Sequence, residues 1–215
     1  MGKTRLNFCI AGRTGSGKST LARQLLEEHP SRHRLLILVP PKVVDFDYPG
    51  TEVHHWKDVR AAVGKKSFQI IWRAPKGPQS AQLAAKLMWA AQDCLLVLDE
   101  AQLYLSVPDK RGELRAYCPP AFFELATVGR HRQASYGLIG PRPSFYPTSI
   151  KSECNIIAAF VLNLPSDRDA MSDFPGFDSS TPRQIQELDK YEYIRADHGR
   201  FMGKQRTLPR KAVRG

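Results

Sequence analysis

The chain has 215 residues, a length that suits one domain, or one domain with an appendage. Hydrophobic residues make up 42% and charged residues 25%, ordinary values that exclude collagen-like, mucin-like and wholly disordered chains. The charge is not ordinary: 32 Lys and Arg against 21 Asp and Glu give a formal net charge of +11, which suits a polyanion such as nucleic acid or, second, an anionic membrane.

The first residues enter a strand directly, without the apolar core of a signal peptide. No apolar run approaches the roughly 20 residues that span a bilayer, so no stable membrane insertion is expected. The four cysteines, Cys9, Cys94, Cys118 and Cys154, form no CxxC pair and read as free thiols in a reducing compartment.

In chain order, a strand is predicted over 6–11, then a Gly-rich turn and a helix over 18–28. A second strand over 35–39 stops at Pro40-Pro41, because proline cannot donate to a ladder. A short strand over 52–54, a short helix over 57–63 and a strand over 67–73 follow. The Ala- and Leu-rich stretch 80–92 reads as a helix. Residues 95–98 are wholly apolar, the mark of a central parallel strand covered on both faces. Residues 106–118, carrying Asp109-Lys110-Arg111-Gly112-Glu113, read as an exposed loop. A helix over 119–129 and strands over 136–139 and 155–164 complete the alternation. It predicts an α/β fold, a mostly parallel central sheet flanked by helices on both faces. The expected organisation is one main α/β domain over 1–195 and a basic C-terminal tail over 196–215. The last 26 residues hold eight Lys and Arg against Glu192 and Asp197, more than half of the excess charge.

The strongest motif is Gly12-Arg13-Thr14-Gly15-Ser16-Gly17-Lys18-Ser19, which fits GxxxxGK[ST] at every fixed position. It lies between a strand and a helix, where glycines let several backbone N–H groups converge on one phosphate and the helix N-terminus faces the same point. The expected nucleotide cradle is Gly12, Arg13, Thr14, Gly15, Ser16, Gly17, Lys18, Ser19 and Thr20. Lys18 would reach the β and γ phosphates, and the Ser19 hydroxyl would ligate Mg²⁺. The second motif is the apolar strand 95–98 running into Asp99-Glu100. Its end lies on the carboxyl edge of the sheet, where open α/β folds bind ligands. Asp99 is expected in the Mg²⁺ shell and Glu100 as the group that polarises the attacking water. A small-molecule kinase needs no water-activating Glu, and the sequence has no guanine-reading NKxD motif. ATP hydrolysis coupled to mechanical work is the expected chemistry.

Downstream come Gly129-Arg130-His131-Arg132, then Tyr136-Gly137-Leu138-Ile139-Gly140-Pro141-Arg142-Pro143, the stretch from Ile150 to Phe160, and Asn163-Leu164-Pro165-Ser166-Asp167. Together with the two motifs this resembles the HerA/FtsK superfamily of DNA-pumping ATPases over roughly residues 5–200. Within it, the near-bare motor core resembles the genome-packaging ATPases of membrane-containing icosahedral viruses. The resemblance implies an ATP- and Mg²⁺-dependent motor that works as a homo-oligomeric ring on double-stranded DNA. It also implies a capsid or membrane-vertex protein as docking partner, in host cytoplasm or virion. It implies a trans-acting arginine finger, which maps onto Arg130, with Arg132 second. One departure stands out. The family's Thr-Gln before Arg-Pro, whose Gln senses the nucleotide, is Gly140-Pro141 here, and Gln102 and Gln133 are the candidate substitutes.

DNA translocation needs contacts to phosphates that carry no sequence information. Arg200, Lys204, Arg206, Arg210, Lys211 and Arg214 fit that need, as do Lys110 and Arg111. Arg142 is divided between a solvated loop charge and a role near nucleotide or DNA. Two other classes remain open at this stage: an assembly or secretion ATPase or non-motor ATP switch of the Zot-like kind, and a small-molecule kinase. The six histidines and the tryptophans Trp56, Trp72 and Trp89 read as surface or packing residues.

Overall fold

The computed structural model describes residues 5–43 and 48–207. Strand β1 (Phe8–Ala11) leads to α1 (Lys18–Glu28), β2 (Arg34–Val39), β3 (Thr51–Val53), α2 (Trp56–Val63), β4 (Phe68–Arg73), α3 (Pro78–Ala91) and β5 (Cys94–Asp99). A ribbon of β6 (Ser106–Pro108) and β7 (Leu114–Ala116) precedes α4 (Pro120–Val128) and β8 (Ala134–Gly140). Then come α5 (Thr148–Lys151), β9 (Ile156–Phe160), α6 (Pro165–Asp169), α7 (Thr181–Gln186) and the hairpin β10 (Glu192–Asp197) and β11 (Arg200–Arg206).

Nine strands form one sheet in the order β11-β10-β9-β1-β8-β5-β2-β4-β3. The strands from β3 to β9 in that order pair in parallel, and the antiparallel pairs are β9–β10 and β10–β11. The expected mostly parallel α/β sheet is therefore the observed one. The central strands need no polar face, because both sides are covered. Leu36, Leu38, Leu96 and Leu98 pack with Ala84 and Met88 of α3 and Phe122 and Leu125 of α4. Leu35, Ile37, Leu95 and Val97 point the other way and pack with Leu21, Leu25 and Leu26 of α1. Alternation along a strand thus fills two cores at once.

Two stretches differ from the sequence expectation. Residues 106–118 are not an irregular loop but a two-stranded ribbon, with Ser106 paired to Ala116 and Pro108 to Leu114. The Asp109 carboxylate forms its tip by accepting the N–H groups of Arg111 (2.8 Å) and Glu113 (3.0 Å), an Asx-type turn. The sheet also continues past residue 195: β10 spans that boundary and β11 carries Arg200, Lys204 and Arg206 on the edge of the sheet. The strand alternation there is interrupted by a register shift between Arg195 and Ala196 and by Gly203 at φ 83°. Arg210, Lys211 and Arg214 of the expected tail lie outside the described residues, as does the start of the chain before Arg5. All four cysteines are free. No helix among the described residues is long and apolar enough to cross a membrane.

Candidate nucleotide site

Strand β8 lies between β1 and β5, with Ala11 opposite Gly140 and Asp99 opposite Ile139. The turn after β1 and the acidic pair at the end of β5 therefore meet on the carboxyl edge of the sheet. The turn is pinned to that edge: the Gly12 N–H donates to the Gly140 carbonyl (3.2 Å) and the Arg13 N–H to the Val161 carbonyl (3.0 Å). Gly15 (φ 74°) and Gly17 (φ 107°) take left-handed conformations that a side chain resists. Gly12 is needed for space, since a Cβ there would lie 2.6 Å from Phe160 Cβ and 2.8 Å from Ser16 Oγ. The Ser16 hydroxyl is buried in the turn and has no hydrogen-bond partner among the described residues. Helix α1 begins at Lys18, so its first N–H groups face the concavity. Lys18 Nζ donates back across the turn to the Arg13 carbonyl (2.9 Å).

An open cleft of about 500 Å³ is lined by Thr14, Gly15, Lys18, Ser19, Lys42, Val43, Asp99 and Glu100. The geometry thus brings together the basic, hydroxyl and acidic groups expected from the two motifs. Gly12, Arg13, Ser16 and Gly17 build the turn behind it, and Thr20 follows Ser19 on the first turn of α1. Burial lowers the Lys18 pKa, opposed by the charges of Glu100 and Asp99. Burial pushes the Asp99 carboxyl up to about 6, helped by the Glu100 charge and opposed by the Glu100 N–H, Lys18 and Tyr48. Such a buried carboxylate is strained electrostatically, and a cation beside it restores its ordinary ionisation. Among the described residues no group of three or more His, Cys, Asp or Glu gathers to hold a metal. A divalent ion at Ser19 and Asp99 would need the remaining oxygens from phosphate and water, which suits Mg²⁺.

Three neighbours carry no motif signal. Lys42 faces the cleft from the loop after β2. Tyr48 is buried and its hydroxyl hydrogen-bonds both Ser19 and Asp99, with its own pKa raised well above the usual value, first by burial. Gln102 donates from Nε2 to Glu100 Oε2 at 2.6 Å. Only Gln102 was legible beforehand, as a glutamine next to the acidic pair. Gln133, the other candidate, sits just before β8, at the opposite end of that strand from Gly140.

Arg130 and Arg132 occupy a 3-10 turn before β8, on the amino edge of the sheet. Arg132 lies over the Trp89 ring (5.6 Å to its centroid). Arg130 is exposed, and its Nε lies 3.5 Å from His131 Nε2. Neither satisfies the end of α4: Arg5 does so, donating from Nη2 to the Leu125 (2.7 Å) and Ala126 (2.5 Å) carbonyls. Arg142 pairs with the buried Asp167 (2.9 Å), which also accepts from Ser144 Oγ (2.5 Å), and this ties the segment after β8 to α6. His29 is a buried strut between Leu6 and Ser31, and Trp56 packs on Trp72 with ring centroids 5.1 Å apart.

The sequence model described as an AAA domain matches residues 2–144. Among solved structures, the genome packaging NTPase B204 from Sulfolobus turreted icosahedral virus 2, in complex with AMPPCP, superposes with a TM-score of 0.73 at 14% identity, over 95% of this chain and 99% of that one. VirB4 of Thermoanaerobacter pseudethanolicus superposes with a TM-score of 0.67 at 10% identity, over 95% and 90%. The pCW3 conjugation coupling protein TcpA, in its monomer form with ATPgS, gives 0.55 at 14% identity, over 94% of this chain and 60% of that one. These likenesses are of fold. No curated protein matches the chain. With two thirds of its length covered by that model, and a P-loop turn on the carboxyl edge of a parallel sheet, the chain belongs to the AAA domain family of P-loop ATPases.

Proposed function

We propose that the protein is an ATP-driven translocase of double-stranded DNA, most like a viral genome-packaging ATPase, acting as a homo-oligomeric ring docked on a capsid or membrane-vertex protein. The observation that carries the reading is the single cleft shared by Lys18, Ser19, Asp99 and Glu100. In it the turn's N–H groups and Lys18 bind the phosphates of ATP. Ser19 and Asp99 hold Mg²⁺, which when bound neutralises charge on the phosphoryl oxygens. Glu100 accepts the proton of a water aimed at the γ-phosphate. The cleft contains the water-activating carboxylate that a kinase omits, and the +11 chain carries exposed cations on the ribbon (Lys110, Arg111, Arg115) and on β11 (Arg200, Arg206). Contacts of this kind track phosphates without reading bases.

The test is steady-state ATP hydrolysis with Mg²⁺, with and without long double-stranded DNA, at two salt concentrations. DNA is expected to raise the rate, and added salt to remove the increase. A rate indifferent to DNA at both salts would overturn the translocase reading in favour of a protein-coupled assembly ATPase. Full activity in Lys18→Ala would overturn the site itself.

A further inference from the structure

Glu100 leaves β5 in a left-handed conformation (φ 55°, ψ 49°), unusual for a residue with a side chain. The next residues form a tight 3-10 turn, and this places Gln102 beside the carboxylate that opened it. Gln102 is buried (8% exposed) and its Nε2 donates to Glu100 Oε2 at 2.6 Å. A donor to a carboxylate is a charge-assisted bond, and it fixes one oxygen while leaving the second for a water. The amide has only one end that can do this, because its oxygen would repel the carboxylate.

The seat for this amide comes from the end of β8. Gly140 does not have a positive φ, so conformation is not what requires glycine there. Space is: a Cβ on Gly140 would lie 2.5 Å from Gln102 Oε1 and 2.8 Å from Tyr146 Oη. Those two oxygens are buried, without hydrogen-bond partners among the described residues, and both flank Gly140. The main chain of Gln102 has a second attachment. Its carbonyl accepts from Ser106 Oγ (2.6 Å), the first residue of β6, and the nearby Leu105 carbonyl accepts from the Tyr117 N–H (2.8 Å) just after β7. One residue therefore holds Glu100 by its side chain and the root of the ribbon by its backbone.

We propose that Gln102 is the positioning residue that sets the Glu100 carboxylate for its water and passes the state of that carboxylate to the β6–β7 ribbon, in a seat that exists because residue 140 is glycine. The inference rests on the hydrolytic reading of the cleft. It assigns a specific role to a side chain that neither motif contains. Loss of the proton acceptor's fixed orientation slows chemistry more than it weakens binding, since the phosphates are held by other groups.

The experiment compares wild type, Gln102→Met, Gln102→Glu, Gly140→Ala, Gln102→Ala, and the doubles Gln102→Ala/Gly140→Ala and Gln102→Ala/Gly140→Gln. It measures kcat, ATP affinity, DNA stimulation and Tm. Gln102→Met keeps the volume and loses the bond. Its kcat is expected to fall about 10- to 100-fold with ATP affinity within about two-fold, and DNA stimulation to shrink towards none. Gln102→Glu, which sets two carboxylates face to face, is expected to fall at least as far. Gly140→Ala is expected to lower Tm in wild type and to lower it less in Gln102→Ala, where Gln102 Oε1, the nearer of the two clashing oxygens, is gone and only Tyr146 Oη remains. Gly140→Gln is expected to recover part of the lost kcat in the Gln102→Ala background. Wild-type kcat in Gln102→Met overturns the proposal. A parallel loss of Tm and ATP affinity in both Gln102→Met and Gln102→Glu overturns it too, by making the role structural. Additive Tm effects at 102 and 140 overturn the seat. Because the Tm cycle needs no hydrolysis, and the kcat ratios need no DNA, failure of Gln102 is distinguishable from failure of the translocase reading.

Discussion

Substituting Asp99 by Asn should stabilise the protein while disabling it, and the gain should depend on pH. The Asp99 carboxyl is 8% exposed and titrates at about 6, against 3.8 for an ordinary aspartate. Its proton is held more tightly folded than unfolded, so the contribution of Asp99 to stability is greatest below pH 4 and is lost as pH rises through 6. Each tenfold in proton affinity corresponds to about 1.4 kcal/mol, so about 3 kcal/mol is lost across that window. Asparagine has no charge to desolvate, and its Oδ1 can still accept the Glu100 N–H now bonded to Asp99 Oδ1 (3.1 Å). It loses the attraction of Lys18, which returns part of the gain. The net expectation is about 1–3 kcal/mol in favour of Asp99→Asn at pH 8, shrinking to none at pH 4. Denaturant midpoints of both proteins from pH 4 to 8, without Mg²⁺ or nucleotide, measure the difference directly. A difference that stays flat with pH would refute the burial argument, and one that grows towards acid would reverse it. Mg²⁺ with ATP should stabilise wild type far more than the variant, because the ion relieves the same carboxylate.

Three further outcomes follow from the geometry. Arg142→Ala leaves Asp167 buried with only its Ser144 partners, so it should cost about 1–3 kcal/mol in chemical denaturation, discounted for the partly exposed Arg142, while ATP affinity stays within about two-fold. Replacing both Lys110 and Arg111 by Ala should lower the salt dependence of DNA binding, log K against log salt, by about one to two, and an unchanged slope would remove the ribbon from the DNA path. Arg130→Ala should abolish hydrolysis in a homomeric preparation, yet mixing it with Glu100→Gln subunits should recover part of the rate. No recovery at any mixing ratio would deny Arg130 a role in trans.

The elements that meet at the cleft were the ones most legible in the sequence, and for a common reason. The P-loop needs glycines at fixed spacing, a strand before it and a helix after it, and each leaves a local mark. Helix α1 begins and ends at the residues predicted, because Gly17 caps it on one side and its apolar stripe runs out before His29 on the other. Strand β5 was legible because burial on both faces leaves only apolar residues over 95–98, up to Asp99 at its end. What was not legible depends on long-range contact. The ribbon after the acidic pair looked like a polar loop because β7 is exposed and each strand is only three residues long. Strand β11 looked like a tail because an edge strand without a buried face keeps its charges. Tyr48 reaches Ser19 and Asp99 from a loop with no pattern at all. Folding alone brings it there.

Gly140 shows how a departure from a motif can be read once neighbours are known. In sequence it is a loss, a small residue at the point of β8 nearest both the P-loop turn and Asp99. In the structure the position is not empty of polar chemistry: the volume a side chain would take is occupied by Gln102, entering from the exit of β5. A sensor on β8 would be attached to the strand whose Gly140 carbonyl accepts the Gly12 N–H. A sensor on the β5 exit is attached instead to the ribbon through Ser106. The same amide–carboxylate contact can therefore serve a different mechanical linkage. In that arrangement a change at Glu100 reaches Lys110 and Arg111 through about ten residues of chain closed by ribbon hydrogen bonds. The register of that ribbon, fixed by the Ser106–Ala116 and Pro108–Leu114 pairs, then decides whether the motion at its root is transmitted to its tip or absorbed.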